Sequence, residues 1–155
     1  MAKVRYWDSV TFLGWFKGEK EKHEVCRGVV AEAEKGKIRI VTSAITLTEV
    51  IKLKGERPLE RDEEEKIRSF FELEYIDIRV LDRPVAELAR ELIWQYPKLK
   101  PKDAIHVATA VTLKIPILDT FDQDLISLDQ QIGNPPLCIG RPDIPYQESI
   151  FSDSA

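Results

Sequence analysis

The chain has 155 residues, 43% of them hydrophobic and 32% charged. This is the composition of one globular domain able to bury a core, and it excludes a disordered chain. The formal net charge of −4 excludes a global attraction to nucleic acid, so such a partner has to be held by local basic patches or through bound cations. No apolar run approaches the ~20 residues of a membrane span, and the N-terminus carries no apolar signal stretch, so a cytoplasmic protein without membrane contact is expected.

Val4–Trp7 is aromatic and β-branched and reads as a short strand that ends at Asp8 and Ser9. Residues 10–16 form an apolar helical stretch closed by Gly18. In residues 19–35, Val25, Val29, Val30 and Ala33 recur at helical spacing until Gly36. Residues 38–41 read as the second strand. Thr42 and Ser43 then offer an N-cap for a helix over 44–53, and Lys54 to Pro58 is a break. Residues 59–71 predict a charged helix with one apolar edge, and 75–81 alternate as the third strand. Asp82 caps, and Pro84 sits near the first turn of, a helix reaching about Trp94.

Beyond the basic loop 96–101 runs a helix that is apolar on nearly every face, through Ala104, Ile105, Val107, Ala108, Ala110 and Val111. Such a helix is buried. Ile117 and Leu118 read as a short strand, a short helix follows around Leu125–Leu128, and Leu137–Ile139 forms a last strand. Strands alternating with helices predict an α/β fold with a mainly parallel sheet. Cys26 and Cys138 have no ligand spacing and read as core thiols. Trp7, Trp15 and Trp94 fall on apolar stripes, which predicts core or interface positions rather than base stacking.

In such sheets ligands bind beyond the carboxyl ends of the strands, and acids fall there. Asp8 follows the first strand, and Asp122 and Asp124 follow the strand at 117–118. Glu49 and Asp103 lie on helices among apolar neighbours. With 27 acidic residues in the chain, isolated matches mean little. Apolar flanks set Asp8, Glu49 and Asp103 apart from charge runs such as 61–66, which read as solvated helix faces. Clustered carboxylates repel one another unless a cation sits between them. Oxygen ligands without a His or Cys cluster suit magnesium or manganese. Asp103, taken alone, reads as a helix N-cap; the other acids make a cation site the sharper reading, and the two roles are compatible.

The order of these motifs resembles the PIN domain, the metal-dependent ribonuclease fold of the toxins in VapBC-type toxin–antitoxin pairs. The strand ending in Asp then Ser or Thr is met by Tyr6-Trp7-Asp8-Ser9. The Glu after strand two is met by Ser43-Ala-Ile-Thr-Leu-Thr-Glu49, and the Asp heading a buried Ala-rich helix by Lys102-Asp103-Ala-Ile-His-Val-Ala-Thr-Ala110. The last motif is met by Leu118-Asp119-Thr120-Phe121-Asp122-Gln123-Asp124-Leu125.

The resemblance implies a three-layer α/β fold, with a central sheet of four to five strands flanked by helices over residues 1–140 and an extension over 141–155. It implies an endoribonuclease holding Mg²⁺ or Mn²⁺ on Asp8, Glu49, Asp103 and Asp122. Asp8 and Asp103 would be the primary ligands, Asp122 would act directly or through water, and Glu49 would be a ligand or a general base. Ser9, Thr120 and Asp124 would support them. Asp119 stands where an apolar or small residue is usual and is not carried over. RNA would be steered by Lys98, Lys100 and Lys102, and by Lys52, Lys54 and Arg57 past Glu49. An antitoxin segment would enter the groove between the helices at 44–53 and 59–71, and a homodimer is expected. His106 reads as a core histidine with one satisfied nitrogen, although its spacing from Asp103 also admits an acid–base role. Two other readings stand beside the nuclease: a non-catalytic PIN-like RNA-binding or assembly module, and a phosphatase of the haloacid-dehalogenase type. The second places its Asp-x-Asp after the first strand, unlike Asp122-Gln-Asp124 here.

Overall fold

The structure is a computed structural model that describes residues 2–51 and 58–142. Lys52, Lys54 and Arg57, and Ile144, Tyr146, Ile150 and Phe151 of the extension, lie outside the described residues.

The elements run β1 (Lys3–Trp7), α1 (Ser9–Lys17), α2 (Lys20–Glu34), β2 (Ile38–Ser43), α3 (Ile45–Glu49) and α4 (Arg61–Phe71). They continue as β3 (Ile76–Arg79), α5 (Arg83–Gln95), α6 (Pro101–Thr112), β4 (Ile117–Asp119), α7 (Gln123–Ile126) and β5 (Cys138–Gly140). Five strands form one sheet in the order β3-β2-β1-β4-β5, and every pairing is parallel. The order reverses at β1, so the crevice between β1 and β4 at their carboxyl ends is where this topology places a ligand.

Successive residues of a strand face opposite sides of the sheet, and the core divides accordingly. Tyr6, Val41 and Leu118 pack with α5 and α6, through residues such as Val85, Leu92 and Val107. Trp7, Ile38 and Ile40 pack on the other face with Phe12, Val29 and Phe71 of α1, α2 and α4. Among the described residues no helix is long and apolar enough to cross a membrane.

Local chemistry explains most boundaries. Asp8 caps α1 by accepting from the backbone N–H of Thr11. Asp82 caps α5, its Oδ1 accepting from Val85 N–H at 3.1 Å, and Pro84 stands in the first turn, where its missing N–H is no loss. Asp82→Ala is expected to destabilise the fold by about 1 kcal/mol in equilibrium urea unfolding; no change would mean that the α5 terminus holds without its cap. Gly36, at φ +78°, follows α2 in a backbone region that L side chains rarely adopt. Gly14 in α1 admits the Phe121 ring, which would lie 2.9 Å from an added Cβ; this close approach seats the β4–α7 loop beside Asp8.

Several expectations are corrected. Thr42 and Ser43 belong to β2 and the cap position of α3 is Ala44, although Ser43 Oγ accepts from Ile45 N–H at 3.3 Å; the helix expected over 44–53 is the short α3, ending at Glu49. Thr42 Oγ1 donates to the Trp7 carbonyl at 2.7 Å, a sheet-end bond that spacing alone does not reveal. Trp94 is 85% exposed rather than in the core. Cys138 is exposed; Cys26 is the core thiol, and burial, reinforced by the nearby Asp119 and Asp8 carboxylates, pushes it up to about 12.

Candidate functional site

Asp8 lies at the carboxyl end of β1 and is 1% exposed. Its Oδ1 accepts from Thr11 N–H at 2.9 Å and lies 2.8 Å from Thr11 Oγ1. That hydroxyl is also 2.7 Å from the Asp119 carbonyl oxygen, so its single hydrogen serves one acceptor at a time. Asp8 Oδ2 accepts from Thr120 Oγ1 at 2.6 Å. Thr120 in turn accepts from Asp122 N–H at 3.0 Å, so one buried hydroxyl ties the β4–α7 loop to Asp8. Burial pushes the Asp8 carboxyl above its ordinary range, against the opposing pull of His106, Thr120 and Thr11.

Asp103 sits in the first turn of α6, opened by Pro101. The cap position is Lys100, so the N-cap expected of Asp103 is not formed. Among the described residues no hydrogen bond reaches its carboxylate. Burial pushes its carboxyl up, the charges of Asp122 and Asp8 push it further, and His106 and Lys102 oppose them. Asp103 thus stands within the electrostatic reach of two other acids, at the mouth of a helix whose Ala104, Val107, Ala108 and Ala110 are fully buried.

Glu49 ends α3. Its Oε1 accepts from Ser9 Oγ at 2.5 Å and lies 3.0 Å from His106 Nε2. Its Oε2 is 3.6 Å from Lys102 Nζ. Burial pushes this carboxyl up, but the hydrogen bonds from His106 and Ser9 and the fields of His106 and Lys102 outweigh it, holding it below the ordinary range.

His106 is buried, as expected, but both ring nitrogens are engaged and one meets the acid set. Nδ1 lies 2.6 Å from Tyr6 Oη, which accepts from Ser43 N–H at 3.1 Å. The tautomer that satisfies every partner has Tyr6 donating to Nδ1 and Nε2–H donating to Glu49. The spacing from Asp103 signalled this residue, yet the partner is Glu49, which only the tertiary fold brings near. Tyr6 was read as a strand residue and nothing more; its hydroxyl fixes the ring.

Asp122 caps α7, its Oδ1 accepting from Asp124 N–H at 2.9 Å. Asp124, expected as an outer support, is exposed in the first turn of α7. Asp119 is fully buried behind the site. Its Oδ2 accepts from Arg5 Nε at 2.8 Å and from Trp7 Nε1 at 2.9 Å, and Arg5 Nη2 donates to Oδ1.

The fold therefore brings Asp103 into the field of Asp8 and Asp122, with Glu49 joined to this region through Ser9 and His106. Among the described residues no three acid, His or Cys side chains form a ready metal cage. The donor set still fits a hard divalent cation: the four acids offer oxygen donors, and the repulsion of Asp8 and Asp122 outweighs the pull of His106 and Lys102 at Asp103. Lys102 is engaged with Glu49, while Lys98 and Lys100 line a cavity of about 290 Å³ that Asp103 also borders. Lys52 lies outside the described residues.

The family model described as PIN domain matches residues 6–131. Among solved structures the chain is similar to Mycobacterium tuberculosis VapC20, described as a Sarcin-Ricin loop cleaving toxin, at 16% identity and a TM-score of 0.64. That match covers 77% of this chain and 91% of the other. It is also similar to a chain in a toxin–antitoxin complex from Klebsiella pneumoniae, at 23% identity and a TM-score of 0.57, covering 79% and 90% respectively. No curated protein matches the chain significantly by sequence.

Proposed function

The chain belongs to the PIN domain family, and from that premise we propose that it is a divalent-metal-dependent endoribonuclease, the toxin of a toxin–antitoxin pair. The observation that carries the reading is the carboxylate set at the switch point of the sheet: Asp8 and Asp103 held in the field of one another, with Asp122 in the same field and Glu49 joined through Ser9. The fold likeness to two toxin structures supports it.

Asp8 and Asp103 would be the primary holders of Mg²⁺ or Mn²⁺, with Asp122 and Glu49 beside them. The ion would supply Lewis-acid polarisation of the phosphate and acidify a bound water. Thr11 and Thr120 hold Asp8 in one rotamer, which removes the entropy of orienting it when a phosphate arrives. Ser9 and His106 hold Glu49, and its depressed pKa keeps it ionised at neutral pH, as either a ligand or an acceptor of the water proton requires. Lys98 and Lys100 would meet the RNA backbone.

The groove between α3 and α4, about 360 Å³ and lined by Leu47, Val50, Ile51, Ile67, Phe71 and Ile78, would receive an apolar antitoxin segment. A basic antitoxin side chain could then neutralise the neighbouring carboxylates. In this reading residues 1–140 are the nuclease domain, 141–155 an extension, and the chain works as a cytoplasmic homodimer.

The test is an RNA panel incubated with purified, inhibitor-free protein in Mg²⁺, Mn²⁺ or EDTA. Cleavage is expected with either ion and none in EDTA. Protein that binds neither ion calorimetrically and cuts no RNA would leave only the non-catalytic PIN-like module. Thr120→Val keeps the shape but removes the hydroxyl that holds Asp8. It is expected to weaken Mn²⁺ binding by roughly 10- to 100-fold with little change in melting temperature; unchanged Mn²⁺ affinity by calorimetry would remove Asp8 from the ligand set.

A further inference from the structure

The cavity beside Asp103 is not used by the ion or by the antitoxin groove. It opens between the end of α5, the loop into α6, and α7. Its apolar surface comes from Leu99, Leu125 and Leu128, of which Leu125 is fully buried. Tyr96, the C-cap of α5, forms an aromatic wall; its hydroxyl reaches the Gln131 carbonyl at 3.5 Å, across to the segment after α7. One long hydrogen bond thus links this wall to the segment after α7.

The geometry points to this cavity as a base-binding subsite that takes one unpaired nucleobase of an RNA strand whose backbone crosses the acidic cluster. The inference rests on the ribonuclease reading and adds where the substrate is read. Asp103 belongs both to the carboxylate set and to the cavity wall, so a nucleotide with its phosphate at the acids has its base next to this opening. Lys98 and Lys100 stand on the same lining and form no ion pair among the described residues, which leaves them available to phosphates. At about 290 Å³ the cavity lies at the bottom of the ~300–1,000 Å³ range of small-molecule pockets, which suits one heterocycle and not a folded peptide segment. An aromatic wall over an apolar floor is the surface on which proteins stack single-stranded bases. Asp124 and the Gln95 amide add hydrogen-bonding groups to the lining. A carboxylate accepts from exocyclic amino groups, so cytosine, adenine and guanine are favoured over uracil.

The experiment uses the full chain carrying Asp8→Asn, so that RNA is not consumed. The probes are short single-stranded RNAs with 5-iodocytidine placed at each position in turn. Ultraviolet irradiation is expected to give an adduct on Tyr96. Ser127→Trp, which plugs the cavity from its exposed rim, is expected to lower adduct yield and RNA affinity about tenfold. Glu91→Trp, exposed on α5 outside the lining, leaves both unchanged, and melting curves establish that each variant is folded. Adducts confined to other residues, with affinity unmoved by Ser127→Trp, overturn the proposal. So does a Ser127→Trp variant that binds RNA normally but loses an inhibitory protein partner, which would make this a protein site. Wild-type cleavage in Mg²⁺ separates the two readings: cleavage without a Tyr96 adduct sinks the subsite alone, and a Tyr96 adduct without cleavage sinks the ribonuclease alone.

Discussion

Asp103→Asn is expected to lose RNA cleavage by about 100-fold or more and, in metal-free buffer at pH 7, to melt above the wild type. The loss follows from removing one of the carboxylates that would hold the ion, and with it the polarisation of the phosphate. The gain follows from the surroundings of Asp103. Burial pushes its carboxyl up, and Asp122 and Asp8 push it further, so the ionised form is disfavoured in the folded state relative to the unfolded chain. A carboxyl whose folded pKa is raised contributes stability below its unfolded pKa of about 3.9, and that contribution is lost as pH rises through the folded value. Asparagine does not ionise, so the difference in melting temperature should be absent in acid and open as pH rises towards 7. Mg²⁺ should reverse it, because an ion at a hundredfold excess over its dissociation constant stabilises the wild type by about 2.7 kcal/mol and the variant by less. Melting curves from pH 4 to 8, in EDTA and in Mg²⁺, check all of this. A variant less stable than wild type throughout, or one that cuts at the wild-type rate, would remove Asp103 from the site.

Asp119→Asn, one position before the motif threonine, should behave in the opposite way. It is expected to destabilise the fold by about 3–5 kcal/mol, because it strands a buried guanidinium. Arg5 is 1% exposed and Asp119 fully buried, and the two are joined by a fork of two hydrogen bonds, with Trp7 Nε1 donating to the same carboxylate. Arg5 Nη1 has no partner among the described residues, so the pair is not fully satisfied. Replacing both members, as Arg5→Met with Asp119→Leu, should therefore recover most of the loss. Equilibrium urea unfolding reads both values. A single-variant loss below about 1 kcal/mol would show that solvent reaches the pair.

These two acids mark the limit of what spacing conveys. Asp103 fills a motif position and Asp119 stands one residue before the motif threonine, but residue type alone would let either carboxylate hold a cation. The difference lies in a partner 114 residues away: Arg5 sits across the β1–β4 pairing from Asp119 and neutralises it, while Asp103 has no hydrogen-bond partner among the described residues and feels Asp122 and Asp8 against the weaker fields of His106 and Lys102. Similarly, the cap of α6 lies three residues before the position that spacing suggested, at Lys100 rather than Asp103. Capping depends on which residue leaves the helical backbone, and that is set by the loops leading into the helix. Trp94 lies about 180° round α5 from Val85 and so on the side away from the buried stripe Val85, Ala89 and Leu92.

What the sequence determined by itself is the alternation of strands and helices, the burial of α6 and the acids at strand ends, because periodicity, glycine and proline act over a few residues. The tertiary structure decided which acids are shared and which are spent. His106 reaches Glu49 across 57 residues and Tyr6 across 100, Thr120 reaches Asp8 across 112, and Arg5 takes Asp119 out of the set. Those pairings are long-range contacts between side chains on different strands and helices. They are fixed by sheet order and register, which no local pattern encodes.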